Sequence, residues 1–344
     1  MNVHFEELSV SQRAGGIEAV TRELVIHLRP VGVNVSRSSG QEAAGLPDIV
    51  HLHGIWSPRL AERFMAWRKR GVPCVVSPHG MLEPWALSHK WFKKKVAWLF
   101  YQNRLLNRSA VLHGTSEREV RQFKSLGIKP PAALIPWGVT MPLPNRNSEF
   151  GIRKSKIRTA LFVGRIYPVK GLPMLVEAWA KIRPAGWKMR IVGPDEAGHL
   201  AEVKALIRQA GLEAEFEFAG PLQGEALHEA YDQASLFILP SFTENFGMVV
   251  AEALSHSLPV LTTTGTPWCN LPGRGCGWWV TPAMDQIAKA LSAATALDDE
   301  TLQAMGAKGR DWVACEFSWP RVATSVEQLY QWVLGAGPKP GCIA

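Results

Sequence analysis

Pro240-Ser-Phe-Thr-Glu244-Asn-Phe-Gly247-Met-Val-Val-Ala-Glu252-Ala-Leu254 follows the apolar run Ser235-Leu-Phe-Ile-Leu239. Together they read as a buried strand turning into a helix from Met248 to about Ser255. Glu244 falls in the loop, Glu252 lies two helical turns on, and Gly247 stands between them. The first N–H groups of a helix lack partners and carry the positive end of its dipole, which suits an anion. A glycine there lets a ligand come close to the backbone. Carboxylates beside an anion site make sense when the ligand also carries hydroxyls, which carboxylates accept in pairs. A diphosphate joined to sugars on both sides has both features.

Outward from that stretch, short apolar runs alternate with amphipathic helical segments, the pattern of parallel-sheet α/β domains. Strands are predicted over 3–6, 33–36, 48–53, 73–77, 111–114 and 133–136, with helices near 16–28, 57–70, 91–107 and 116–126. Thr115 or Ser116 would cap the last of these. Met141-Pro-Leu-Pro-Asn-Arg-Asn-Ser148 breaks the rhythm and reads as an interdomain linker. Strands resume over 158–164, 188–193, 215–220, 236–239, 259–262 and 277–280, with helices near 171–182, 200–210, 224–232, 249–255 and 283–297. From Asp298 to Trp332 the chain reads as helical, and the Gly/Pro-rich tail 335–344 as loosely held. Strands ending at Gly164, Gly193 and Gly220 would meet a ligand at the carboxyl edge of the sheet.

A length of 344 residues suits two domains, and 47% hydrophobic with 20% charged residues suits a globular protein. Five cysteines without C-x-x-C spacing argue against a disulfide framework or a zinc site and fit a reducing cytoplasm. No run is long enough to span a bilayer and the N-terminus lacks a signal-peptide core, so a cytoplasmic, soluble or peripheral protein is expected. The net charge of +8 is uneven: Pro84 to Ser116 contains no Asp or Glu. There Lys and Arg alternate with Trp and Phe at helical spacing, from His89 to Arg108. Such a helix suits an anionic membrane surface or nucleic acid, and a core-packed helix with a basic outer face accounts for it equally. The many tryptophans nearby favour an interface.

Arg165 follows the strand ending at Gly164, and Lys170 comes five positions later. Two cations at a strand-to-helix turn suit a diphosphate, although exposed surface cations are common. Gly15 and Gly16 between the first strand and helix would let backbone amides reach an anion, or form a plain flexible turn. The chain has no G-x-G-x-x-G, so a dinucleotide cofactor is poorly supported. His79, just past a strand end and before Gly80, could bond a reacting sugar or be a satisfied structural histidine. Glu244 and Glu252 as the acid and nucleophile of a glycosidase would both have to face one scissile bond, so hydrolysis ranks below transfer. No D-x-D-type pair is present to hold a metal on a diphosphate, and Arg165 and Lys170 could neutralise it instead.

Taken together these pieces resemble the retaining GT-B glycosyltransferases of the E-x7-E group (family four, group 1), over nearly the whole chain. The resemblance is carried by Gly15-Gly16-Ile-Glu18, Ser77-Pro-His-Gly-Met-Leu-Glu-Pro-Trp85, Gly164-Arg165 with Lys170-Gly171, and Asn245 through Glu252. Gly265-Thr-Pro-Trp268, Gly275-Cys-Gly-Trp-Trp-Val280 and Phe317-Ser-Trp319 extend it toward enzymes of bacterial exopolysaccharide, capsule and lipopolysaccharide synthesis.

The resemblance implies two Rossmann-like domains facing a deep cleft, 1–145 on the acceptor side and 146–318 for the nucleotide sugar. Residues 319–344 would cross back to the first domain. Arg165 and Lys170 would grip the diphosphate after Gly164, Glu252 the ribose, and Glu244 the transferred sugar. The segment Asn245, Phe246, Gly247, Met248 and Val249 would line sugar and phosphate, with Gly16 closing over the phosphates and His79 reaching the sugar. Pro221 and Leu222 would lie near the base. The implied reaction moves a sugar from a UDP- or GDP-linked donor to a hydroxyl of a saccharide acceptor, one carried on a polyprenyl diphosphate at the inner membrane face. It keeps the anomeric configuration and needs no metal, cofactor or nucleic acid. A nucleotide-sugar epimerase of the same fold, or a non-catalytic nucleotide-binding scaffold, are the alternatives. Two departures stand out: the first half is short around 35–47, and Cys269 stands where relatives often carry an acidic residue.

Overall fold

The computed structural model describes residues 1–7, 15–37, 45–142 and 157–344. Residues 143–148 of the expected linker, and 38–44 of the short region, lie outside these. The chain divides into two compact units, Met1–Gly138 with Phe317–Ala344, and Val139–Glu316.

The first unit is built on β1 (Asn2–Glu7), β2 (Asn34–Arg37), β3 (Ile49–His53), β4 (Cys74–Ser77), β5 (Val111–Gly114) and β6 (Ala132–Leu134). They form one parallel sheet in the order β2-β1-β3-β4-β5-β6. The second unit carries β7 (Arg158–Val163), β8 (Trp187–Val192), β9 (Phe216–Gly220), β10 (Leu236–Leu239), β11 (Val260–Thr263) and β12 (Gly277–Val280). Its parallel order is β12-β11-β10-β7-β8-β9. Every residue of β3, β4, β10 and β11 is buried, as helices on both faces require. In the second sheet the chain reverses its direction of growth between β7 and β10. In open parallel sheets such a reversal is the place where the loops beyond the strand ends part and ligands bind.

Local chemistry sets the helix ends. Ser57 caps Pro58–Lys69 by accepting from Leu60 N, and Pro58 occupies the first turn, where its missing N–H costs nothing. Ser116, not Thr115, caps Glu117–Ser125 by accepting from Glu119 N at 3.2 Å. The late helical stretch is two helices, Asp299–Glu316 and Trp319–Val333, parted at Phe317-Ser318, where Pro320 enters the first turn of the second. The second packs on Gly15–Leu28 within the first unit, with Trp319 stacked on His27 at 5.8 Å.

Two expectations need correction. The tail is not loose: Ile343 pairs antiparallel with Ala133, Leu134 N donates to Cys342 O at 2.7 Å, and Ala344 N donates to Ala132 O at 2.9 Å. It covers the unpaired edge of β6, which would otherwise expose a row of backbone groups. The basic aromatic segment is not one regular helix. Trp91–Ala97 passes through a π-helical turn, Trp98–Gln102, into Asn103–Asn107. Tyr101 donates to Trp56 O at 3.0 Å and buried Gln102 accepts from Trp56 N at 2.9 Å, so the wider turn is anchored from below.

Candidate functional site

At the β7/β10 reversal, Lys170 closes a single 3₁₀ turn, Pro168–Lys170, and Gly171 caps the next helix, Leu172–Ile182. Gly171 has φ +71°, and a Cβ there would fall 2.2 Å from Pro240 O. Only glycine permits that approach, which brings the Lys170 turn against the exit of β10. Lys170 Nζ consequently meets Glu244 Oε1 at 2.5 Å, and Ser241 Oγ donates to the same oxygen at 2.7 Å. Both charged side chains are 13% exposed, so the pair is shielded yet reachable. Alongside, Gly247 (φ +78°) begins Met248–Ser255 with no side-chain cap; Val250 N donates back to Gly247 O at 2.8 Å, and the N–H groups of Met248 and Val249 are the ones a ligand would meet. Phe246 is buried, and its carbonyl accepts from Trp268 Nε1 at 2.7 Å, which fixes the loop from beneath.

Glu252 lies on the inner side of that helix and accepts from Tyr231 Oη at 2.8 Å. Burial pushes its carboxyl above the usual range, against the lowering effect of the Tyr231 hydrogen bond and of His228. Arg165 stands apart from the Lys170–Glu244 pair: it is half exposed, pairs with Glu196 and lies over the Tyr167 ring at 5.9 Å. Asn245, Met248 and Val249 are half-buried, Leu222 is half-buried and Pro221 exposed after β9. Gly164 follows β7, its backbone within 2 Å of the place a Gly193 Cβ would take. Ser241 and Tyr231 were not singled out in the sequence. Ser241 had a legible signal, a hydroxyl between a strand end and Glu244, whereas Tyr231 sits mid-helix among ordinary core positions.

The first unit holds His79 at the exit of β4, in the left-handed region with φ +55°. Its Nε2 lies 3.2 Å from His53 Nδ1, and its ring stacks on Trp137 at 5.5 Å. Gly80 N donates to Glu119 Oε1 at 2.7 Å, and Thr115 N to Glu119 Oε2 at 2.9 Å, so one buried carboxylate holds two loops. Burial raises that carboxyl to about 7 in spite of those donors. Burial also lowers His79 to about 3 and keeps it neutral. Gly15 and Gly16 open the helix Gly15–Leu28, Gly16 exposed and free of close neighbours.

A family model described as glycosyl transferases group 1 matches residues 145–312, and one described as a glycosyl transferase 4-like domain matches residues 35–138. The chain belongs to the group 1 glycosyl transferases. The GDP-mannose:cellobiosyl-diphosphopolyprenol alpha-mannosyltransferase of Komagataeibacter xylinus is 33% identical over 186 residues, 52% of this chain and 46% of that protein. This member of the family thus spans about half the length of that curated relative. Among solved structures, the sucrose-phosphate synthase of Thermosynechococcus elongatus matches with a TM-score of 0.77 at 19% identity, covering 98% of this chain and 100% of the other. Anabaena HepE in complex with UDP and glucose matches with a TM-score of 0.76 at 17% identity, covering 96% and 100%. At these identities the likeness is one of fold, and the fold is GT-B, with two α/β units each on a six-stranded parallel sheet.

Proposed function

We propose that this chain transfers a sugar from a UDP- or GDP-linked donor to a hydroxyl of a saccharide acceptor, with the anomeric configuration kept. The observation that carries this reading is Lys170, Glu244 and Ser241 meeting at the β7/β10 reversal, beside the uncapped start of Met248–Ser255. A diphosphate would take the helix N–H groups and Lys170, with Arg165 turning in from Glu196. Glu244 and Ser241 would then bond hydroxyls of the transferred sugar, and Glu252 those of the ribose. Charge gathers on the leaving diphosphate as the glycosidic bond breaks, and fixed cations and amides that already point there lower the barrier. The departing phosphate oxygen takes the acceptor proton on the same face of the sugar. Lys170 and Arg165 supply the positive charge without a divalent metal.

The acceptor is lipid-linked in this reading, and the enzyme works at an anionic membrane surface in bacterial surface-polysaccharide synthesis. Among the described residues no helix is long and apolar enough to cross a membrane. In the stretch without acidic residues, however, Trp91, Phe92, Leu99 and Phe100 are 61%, 65%, 75% and 79% exposed. Lys90, Lys93, Lys95 and Arg104 lie among and beside them in the chain, all exposed. Exposed bulky apolar groups interspersed with cations suit acyl chains beneath anionic headgroups. The polyprenol acceptor named for the Komagataeibacter relative supports the same reading.

The test is a panel of UDP- and GDP-sugars offered with polyprenyl-diphosphate saccharides in the presence of EDTA, with products read by mass and by anomeric NMR coupling. A glycoside with retained configuration is expected. Isomerisation of the donor alone would instead make the chain an epimerase, and donor binding without any turnover would make it a scaffold.

A further inference from the structure

Behind the His79 turn lies a file of buried polar side chains whose protons can be assigned without ambiguity. His113 Nε2 lies 2.8 Å from Ile135 O, and a carbonyl only accepts, so His113 Nε2 carries the hydrogen. Burial lowers His113 to about 4, which keeps it neutral and leaves Nδ1 bare. Nδ1 therefore accepts from Ser77 Oγ at 2.7 Å. With its one hydrogen committed, Ser77 Oγ must accept from His51 Nε2, also at 2.7 Å. Burial holds His51 neutral too, so its Nδ1 accepts from Tyr330 Oη at 2.6 Å. Every hydrogen bond runs one way, from Tyr330 through His51, Ser77 and His113 to Ile135. Tyr330 and His51 are 0% exposed, Ser77 and His113 1%.

The ends of this file coincide with the supports of His79. Two residues after His51 comes His53, whose Nδ1 meets His79 Nε2, and His51 and His53 stack at 4.2 Å. Two residues after Ile135 comes Trp137, the platform under the His79 ring, itself edge-on to His113 at 5.2 Å. Ser77 stands two residues before His79. The helix Trp319–Val333 reaches the same place a second way, because Trp319 packs against Gly138, where a Cβ would fall 2.4 Å from its indole.

We propose that Tyr330 is a positioning residue for His79, the first donor of a one-way hydrogen-bond file that holds β3 and the segment after β6 at the spacing His79 needs. The proposal rests on the reading of His79 as a sugar-contacting group. It makes the C-terminal helix part of the site rather than a mere cover. Tyr330→Phe removes the first hydrogen and leaves His51 Nδ1 bare in the core.

The experiment compares Tyr330→Phe, His79→Ala and the double variant in the full-length chain. Tyr330→Phe is expected to lower kcat roughly tenfold with donor KM nearly unchanged, and to have almost no further effect in the His79→Ala background. In ¹⁵N–¹H NMR the ring N–H signals of His51 and His113, protected in the parent, should exchange faster, and the His79 ring signals should shift. Equal losses of kcat in both backgrounds, or unmoved His79 signals, would overturn the proposal. If Tyr330→Phe does not fold, Ser77→Ala opens the file at its centre and is read by the same cycle. The NMR measurement needs no turnover, so an inactive parent with coupled His79 signals would sink the glycosyl-transfer reading and leave only the structural coupling of Tyr330 to His79, whereas an active parent with unmoved His79 signals would sink the coupling alone.

Discussion

Lys170 and Glu244, 74 positions apart in the chain, share a hydrogen bond because Gly171 lets one strand-exit loop press against the backbone of the other. The cation and the carboxylate thereby hold each other in place, 13% exposed apiece. Replacing Lys170 by Ala should lower kcat by roughly 10²–10³, the usual loss for one transition-state donor. Initial rates of nucleotide release check this, and a kcat within threefold of the parent would count against the assigned role.

Gly171→Ala tests the approach itself. The added Cβ meets Pro240 O in a backbone region that favours glycine, so a stability loss of roughly 1–3 kcal/mol is expected from strain and overpacking. Chemical denaturation measures it. The loss of activity at temperatures where the variant is still folded should exceed what the folded fraction explains, because Lys170 moves with the turn.

Tyr231→Phe leaves Glu252 without its phenol donor in a buried place, at a cost of roughly 1–3 kcal/mol. If Glu252 holds the ribose, donor KM should rise while kcat stays nearly level. Calorimetric binding of the nucleoside diphosphate alone separates this from a general loss of packing: weaker binding is expected, and unchanged binding would remove Glu252 from the ribose site.

Acid should unfold the first unit early. Burial keeps His51, His53, His79 and His113 neutral, with His79 at about 3 and His113 at about 4 against 6.5 for a free histidine. Below pH 6.5 the unfolded chain binds protons that the folded one refuses. The stabilisation from each ring is therefore complete above 6.5 and shrinks as pH falls, by roughly 1.4 kcal/mol per pH unit per histidine. Glu119, raised by burial to about 7, works the other way and favours the fold as pH falls toward 4.5. Burial raises Glu83 of the same unit as well, and four rings against two carboxyls leave a net loss. Denaturation midpoints between pH 7 and 5 should fall steeply, and a flat profile would contradict the buried neutral rings.

Membrane attachment is checked by liposome sedimentation. Phe92→Ser, Leu99→Ser and Phe100→Ser together should weaken binding to anionic vesicles at least roughly tenfold, since each side chain loses part of the ~1.5–3 kcal/mol that full burial of its apolar surface supplies. Lys94 is a poor choice for such a test. It turns inward, bonds Ala86 O and lies 5.6 Å over the Trp56 ring, so its loss disturbs packing.

Much of the architecture was legible because its signals are local. Continuous apolar runs such as Leu236–Leu239 mark strands covered on both faces, and Ser116 or Pro58 mark helix starts, whatever the rest of the chain does. The family was legible because its motifs sit at strand exits, where glycines, cations and carboxylates have few structural reasons to gather. The π-turn Trp98–Gln102 and the pairing of the tail with β6 were not, because each answers to a partner distant in sequence: Trp56 in one case, an open sheet edge in the other.

The amino-acid sequence alone determined that this is a two-part parallel α/β chain whose second half carries Lys170 and Glu244 beyond strand ends and Glu252 within the helix that follows. Periodicity, caps and turn residues act over a few positions and need no fold to be read. Only the tertiary structure decided that Lys170 pairs with Glu244 while Arg165 turns to Glu196, and that Glu252 takes its hydrogen from Tyr231. It alone decided the direction of the file from Tyr330 to Ile135. Hydrogen bonds between groups far apart in the chain depend on which loops approach within 3 Å, and that is set by the packing of whole strands and helices.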